Sequence, residues 1–132
     1  MLLLGPKVRE LEETFKEYVG CKHAITMNSC TAGMELALRI LGIKEGDEVI
    51  TSPLTFPASA NVIEHVGAKP VFVDVEKETG NMDVTQLKEK ITDRTKAIIP
   101  VHLFGMPCDM DPILEIAQKN LALLLDAFAS MK

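Results

Sequence analysis

The chain has 132 residues, one domain's worth, and its 47% hydrophobic and 25% charged shares set aside collagen-like, disordered and coiled-coil classes. Lys and Arg number 14 against 19 Asp and Glu, a formal net charge of −5, the wrong sign for a dedicated binder of nucleic acid or of an anionic membrane. The longest apolar runs, residues 2–4 and 121–125, fall far short of the roughly 20 residues a membrane helix needs.

No charged, cleavable leader precedes residue 5, so the expected location is the cytoplasm. Cys21, Cys30 and Cys108 are odd in number, widely spaced and free of CxxC pairing, which points to reduced, mostly buried thiols rather than a disulfide framework or a metal site.

Val8, Leu11, Phe15 and Val19 recur at helical spacing, predicting an amphipathic helix over 7–18 with Gly20 as its C-cap. Residues 23–27 read as a short strand, and Ala32, Met34, Leu36, Ala37 and Ile40 mark a second helix over 31–40. A strand over 48–51 and a helix over 57–65 follow, then a buried strand over 71–75. Asp83 is a possible N-cap for a helix over 83–91. A strand over 96–101, a helix from Asp109 or Asp111 to Lys119 with Pro112 in its first turn, and an apolar strand over 121–125 complete the alternation.

Five strands separated by helices imply parallel pairing through right-handed crossovers, hence an α/β fold with a three-layer, mostly parallel sheet and helices on both faces. Ligands in such sheets sit at the carboxyl ends of the strands. Four segments qualify: residues 28–33, 52–56, 102–105 and 126 onward.

Asn28-Ser29-Cys30-Thr31-Ala32-Gly33 leaves a strand and enters a helix, where free N–H groups and the positive helix end can hold a phosphate. The plainer role for Asn28, Ser29 or Thr31 is N-capping. Neither the GKS/T of a P-loop nor GxGxxG occurs. Asp126 ends an apolar run, where a carboxylate needs a cation or hydrogen bonds to offset its desolvation; an exposed loop position or a helix cap is the alternative. Phe56 could stack on a flat ligand or pack in the core. His102 reads as a hydrogen-bonded structural histidine, and His23 and His65 as surface or packing residues.

Taken together, the segments resemble the DegT/StrS family of sugar aminotransferases, pyridoxal phosphate (PLP) enzymes of fold type I. The residues carrying the resemblance run in order along nearly the whole chain. They are Gly5-Pro6-Lys7-Val8, Asn28-Ser29-Cys30-Thr31-Ala32-Gly33-Met34, Gly46-Asp47-Glu48-Val49-Ile50, Thr55-Phe56, Gly67-Ala68-Lys69-Pro70-Val71-Phe72-Val73-Asp74-Val75, TDRTKAIIPVH over 92–102, and Asp109-Met110-Asp111.

The resemblance implies that Thr31 and the backbone at Ala32 hold the cofactor phosphate, that Phe56 stacks on the pyridine ring, and that Asp126 pairs with the pyridinium nitrogen. It further implies a nucleotide-linked keto sugar as substrate, an amino-acid donor such as glutamate, and a homodimer with active sites shared between subunits. Nucleic acid, membrane and metal have no place in it.

Three departures stand near the chemistry. The family usually has Glu-Asp-Ala-Ala-Gln or Glu-Asp-Ala-Ala-His where this chain reads Leu125-Asp126-Ala127-Phe128-Ala129. Phe128 thus stands where a small alanine packs beneath the cofactor ring, and Ala129 where Gln or His bonds its phenolic oxygen. The family's Schiff-base lysine is expected beyond position 132, so no residue here is assigned a catalytic role. The chain is expected to be a truncated member, residues 1–132 forming part of the PLP-binding large domain without the small C-terminal domain, and inactive alone as a transaminase. Two other readings accompany it: a noncatalytic α/β module binding a small ligand or a protein, and a PLP-dependent sugar dehydratase with His in place of the lysine.

Overall fold

The computed structural model describes residues 5–119 and the backbone of 123–124. Its centre is β1 (Glu48–Thr51), buried at all four positions. Around it β2 (Lys69–Phe72), β3 (Thr95–Ile99) and β4 (Leu123–Leu124) form a sheet in the order β2-β1-β3-β4, every pair parallel. Parallel neighbours require crossovers. These are supplied by α3 (Ala58–His65), α4 (Val84–Lys90) and α5 (Met110–Lys119), while α1 (Pro6–Val19) and α2 (Cys30–Ile40) precede the sheet.

Side chains alternate across a strand, so one short sheet builds two cores. Val49, Ala97 and Ile99 face Leu38 of α2 and Val62 and Ile63 of α3. Ile50 and Ile98 face the other way, toward Leu87 of α4 and Ile113 and Ala117 of α5. The α/β reading with helices on both faces therefore holds.

Several expectations need correction. Residues 23–27 form no strand: no described strand pairs with them, and Ile25 is 74% exposed. A β-branched run becomes a strand only where a neighbour accepts its backbone bonds. The expected buried strand over 71–75 is β2, displaced toward Lys69, and it lies at the end of the strand order, which leaves Phe72 exposed. Downstream, Val75 makes only an isolated antiparallel bridge to Met82. Cys108 is buried as expected, but Cys21 and Cys30 are exposed.

Helix α1 begins at Pro6 and ends at Gly20, whose φ of 75° and N–H bond to Lys16 O make the expected left-handed cap. It buries no residue, and Leu11, Phe15 and Val19 stay exposed. Glu12 fastens it to the following loop, accepting from the Thr26 backbone N–H at 2.8 Å and hydroxyl at 2.9 Å. The Thr26 backbone bond is the main reason the Glu12 carboxyl lies below its ordinary pKa. No described helix is long and apolar enough to cross a membrane.

Candidate functional site

The turn into α2 is held by Ser29. Its backbone is extended, and its Oγ accepts from the Ala32 N–H at 3.2 Å, which identifies it as the N-cap among the three candidates. Gly33 N–H bonds Ser29 O at 3.2 Å. Thr31 occupies the first turn, half-buried. An anion at this helix end would meet the free first-turn N–H groups, with the Ala32 N–H shared with or released by Ser29.

The second segment leaves β1. Thr51 Oγ1 donates to Ile99 O at 3.0 Å across the sheet, and Ser52 is buried behind it with its Oγ accepting from Leu54 N at 3.2 Å. The chain then turns outward. Phe56 is 60% exposed, outside both cores, and its carbonyl accepts from Ser59 N as α3 begins. The ring is therefore available to a ligand.

Helices α2 and α3 pack together, and their carboxyl-terminal residues are tied by charge. Arg39 donates to Glu35 at 2.8 Å and to the His65 carbonyl at 3.3 Å, while His65 Nδ1 lies 3.0 Å from Glu35 Oε2. Arg39 first, and His65 second, hold the Glu35 carboxyl below its ordinary pKa. His65 is thus an exposed surface partner, and His23 is exposed as well.

The third segment leaves β3. His102 is buried, and its Nδ1 accepts from the Cys108 N–H at 2.9 Å, in keeping with a structural role. Sequence reasoning missed Asn81. This buried amide donates to Met106 O and Pro107 O, both at 3.1 Å, and accepts from Leu103 N at 3.0 Å. One side chain thereby fixes the loop over 103–107 from across the fold. The only sequence signal is a Gly-Asn pair, which suggests a turn and nothing about its distant partners. Phe104, inside the qualifying segment 102–105 but not singled out there, is 76% exposed with φ 52°.

Asp126, Phe128 and Ala129 lie outside the described residues. The nearest described backbone is β4, whose Leu124 pairs with Ile98 of β3.

A model of the DegT/DnrJ/EryC1/StrS aminotransferase family matches residues 1–131. The chain belongs to that family. Among its relatives, GDP-perosamine synthase of Caulobacter vibrioides is 50% identical over 125 residues, covering 94% of this chain and 34% of that protein. Among solved structures, DesV of S. venezuelae in complex with a ketimine intermediate superposes with a TM-score of 0.90 at 38% identity, over 95% of this chain and 34% of that one. The PLP form of Spr1654 from Streptococcus pneumoniae superposes with a TM-score of 0.84 at 41% identity, over 98% of this chain and 32% of that one. The chain thus spans about a third of the length of the relatives it matches.

The described half of the site fits the cofactor of these family members. A helix N-terminus favours a phosphate, and α2 opens one with Thr31 in its first turn. A flat ring requires an apolar face that the core has not consumed, which Phe56 provides.

Proposed function

We propose that this chain carries the cofactor-binding crevice of a sugar aminotransferase, cytoplasmic and homodimeric, acting on a nucleotide-linked keto sugar with an amino-acid donor such as glutamate. Residues 1–132 form part of its PLP-binding large domain. The observation that carries this reading is the opening of α2 at Ser29, with Phe56 left exposed between β1 and α3, within a chain matched by the family model over residues 1–131.

Bound PLP would supply the electron sink that amino transfer requires. The protein's own groups do the holding. Thr31 and the first-turn N–H groups of α2 neutralise and orient the phosphate, and the helix dipole favours its negative charge. Phe56 covers one face of the ring and excludes water from it. Asp126, two residues past β4, offers the carboxylate that keeps a ring nitrogen protonated.

The test is a titration with PLP followed by absorbance and thermal stability. Saturable stabilisation, weakened in Thr31→Ala, Phe56→Ala and Asp126→Ala, is the expected result. No binding at millimolar PLP by a folded protein would overturn the reading and favour a noncatalytic module.

A further inference from the structure

Phe104 is the only non-glycine residue among those described with a positive φ, at φ 52° and ψ 25°. An aromatic side chain gains nothing locally from this left-handed conformation, which L-residues adopt at a cost; it persists only where the surroundings over-determine it. Here they do. Asn81 bonds Leu103, Met106 and Pro107 on both sides of it, Gly105 N–H bonds His102 O at 3.2 Å, and Met106 N–H bonds Leu103 O at 3.0 Å. His102 and Leu103 turn inward and are buried, while Phe104 stands 76% exposed.

Its position in the sheet gives the exposure meaning. Thr51 and Ile99 are register partners on the adjacent parallel strands β1 and β3, and Phe56 and Phe104 each follow their strand's partner by five positions. The two loops also converge physically. A Cβ on Gly80 would lie 2.7 Å from Leu103 Cδ2 and 3.5 Å from Leu54 Cδ2, so both loops close on the same glycine. The fold thus presents two aromatic rings at the ligand-binding end of neighbouring strands, and Phe104 is the more exposed of the two.

Resting on the cofactor reading above, the geometry points to Phe104 as a substrate-contacting residue: the clamped left-handed turn holds its ring against the apolar face of the nucleotide-linked sugar. A cofactor ring held at the strand ends by Phe56 would leave the exposed Phe104 free for its reaction partner. Asn81 is the positioning residue for that ring.

The experiment is calorimetric titration of the protein with PLP and then, at saturating PLP, with GDP-mannose, UDP-glucose and dTDP-glucose as probes. Phe104→Asn removes the ring while suiting the left-handed backbone, so its melting temperature should hold or rise. Its PLP affinity should stay within about twofold, while the affinity for whichever probe binds the unaltered protein falls about fivefold or more. Phe104→Tyr should restore that affinity. Unchanged probe affinity in Phe104→Asn overturns the inference, as does an equal loss of PLP and probe, which would place the ring against the cofactor. Binding of PLP but of none of the three probes overturns it and leaves the cofactor reading standing. Absence of PLP binding removes both.

Discussion

Glu48 and Arg94 lie 46 positions apart in sequence and meet at 2.7 Å at the amino end of the sheet, opposite the site. The Glu48 side chain is only 4% exposed, yet its carboxylate is satisfied: Thr92 Oγ1 donates at 2.7 Å, and Lys69 Nζ stands 3.9 Å away. A buried carboxylate without such partners would be strongly destabilising. The Thr92 bond chiefly, with Arg94 and Lys69 assisting against the opposing desolvation, holds its pKa below the ordinary 4.5.

Glu48→Gln should therefore cost about 1–3 kcal/mol at neutral pH, where a charge-assisted bond becomes a neutral one. The depressed pKa sets the sign of the pH effect. The stabilisation is complete above the unfolded value near 4.5 and is lost as pH falls through the lower folded value. Urea unfolding of both proteins from neutral pH to pH ~3 should show a constant gap that closes only below that ordinary value. A gap that persists in acid would contradict the assignment.

Gly80 has φ 71° and would place a Cβ 2.7 Å from Leu103 Cδ2. Gly80→Ala meets both a backbone penalty and a clash, together about 2–4 kcal/mol. The two causes separate in a double-mutant cycle. In a Leu103→Ala background the clash is gone, so the cost of Gly80→Ala should fall by about 1 kcal/mol or more in chemical denaturation. Equal costs in the two backgrounds would leave backbone strain as the whole effect.

Periodicity and end signals sufficed for what is local. The helix expected over 7–18 forms as Pro6–Val19, and the strand over 48–51 forms with those bounds. Asp83 caps α4, accepting from Thr85 N at 2.9 Å, as its place before the periodic run implied. What failed depended on neighbours. Residues 23–27 have strand chemistry but no described strand to pair with, and β2 has a strand's apolar composition but lies at the edge of the described sheet. The site divides the same way. What was legible is local position: Thr31 and Ala32 fall in the first turn of α2, and Phe56 in the loop between β1 and α3. Asn81 reaches 25 and 26 positions along the chain, a relation no local pattern encodes. Asp126 lies beyond the described residues.

Ser29 caps α2 at the point where a phosphate would bind, so stability and ligand affinity can be set against each other there. Ser29→Ala should cost about 1 kcal/mol by removing the cap. Ser29→Asp should recover most of that loss, since a carboxylate both caps and complements the helix dipole. It should nevertheless weaken PLP binding, because its charge repels the phosphate. Melting temperature with and without PLP separates the effects: Ser29→Asp is expected near the unaltered protein without ligand and well below it with ligand. Equal ligand-induced shifts in the two proteins would move the phosphate away from this helix end.

Asn81 satisfies one N–H and two carbonyls in a buried setting. Asn81→Ala leaves these groups without their partner and should cost about 2–4 kcal/mol. The loss should be local before it is global, so exchange of the Leu103 amide hydrogen, which Asn81 Oδ1 now accepts, should accelerate more than that of strand amides such as Ile50. Asn81→Asp sharpens the test. It keeps the acceptor for Leu103 but turns a carboxylate toward two carbonyl oxygens, so the charged form is disfavoured and its folded pKa is raised. Its stability should then recover as pH falls through that raised value, the reverse of the trend at Glu48. A stability loss on acidification that parallels the unaltered protein would mean that the side-chain amide does not face Met106 and Pro107 in solution.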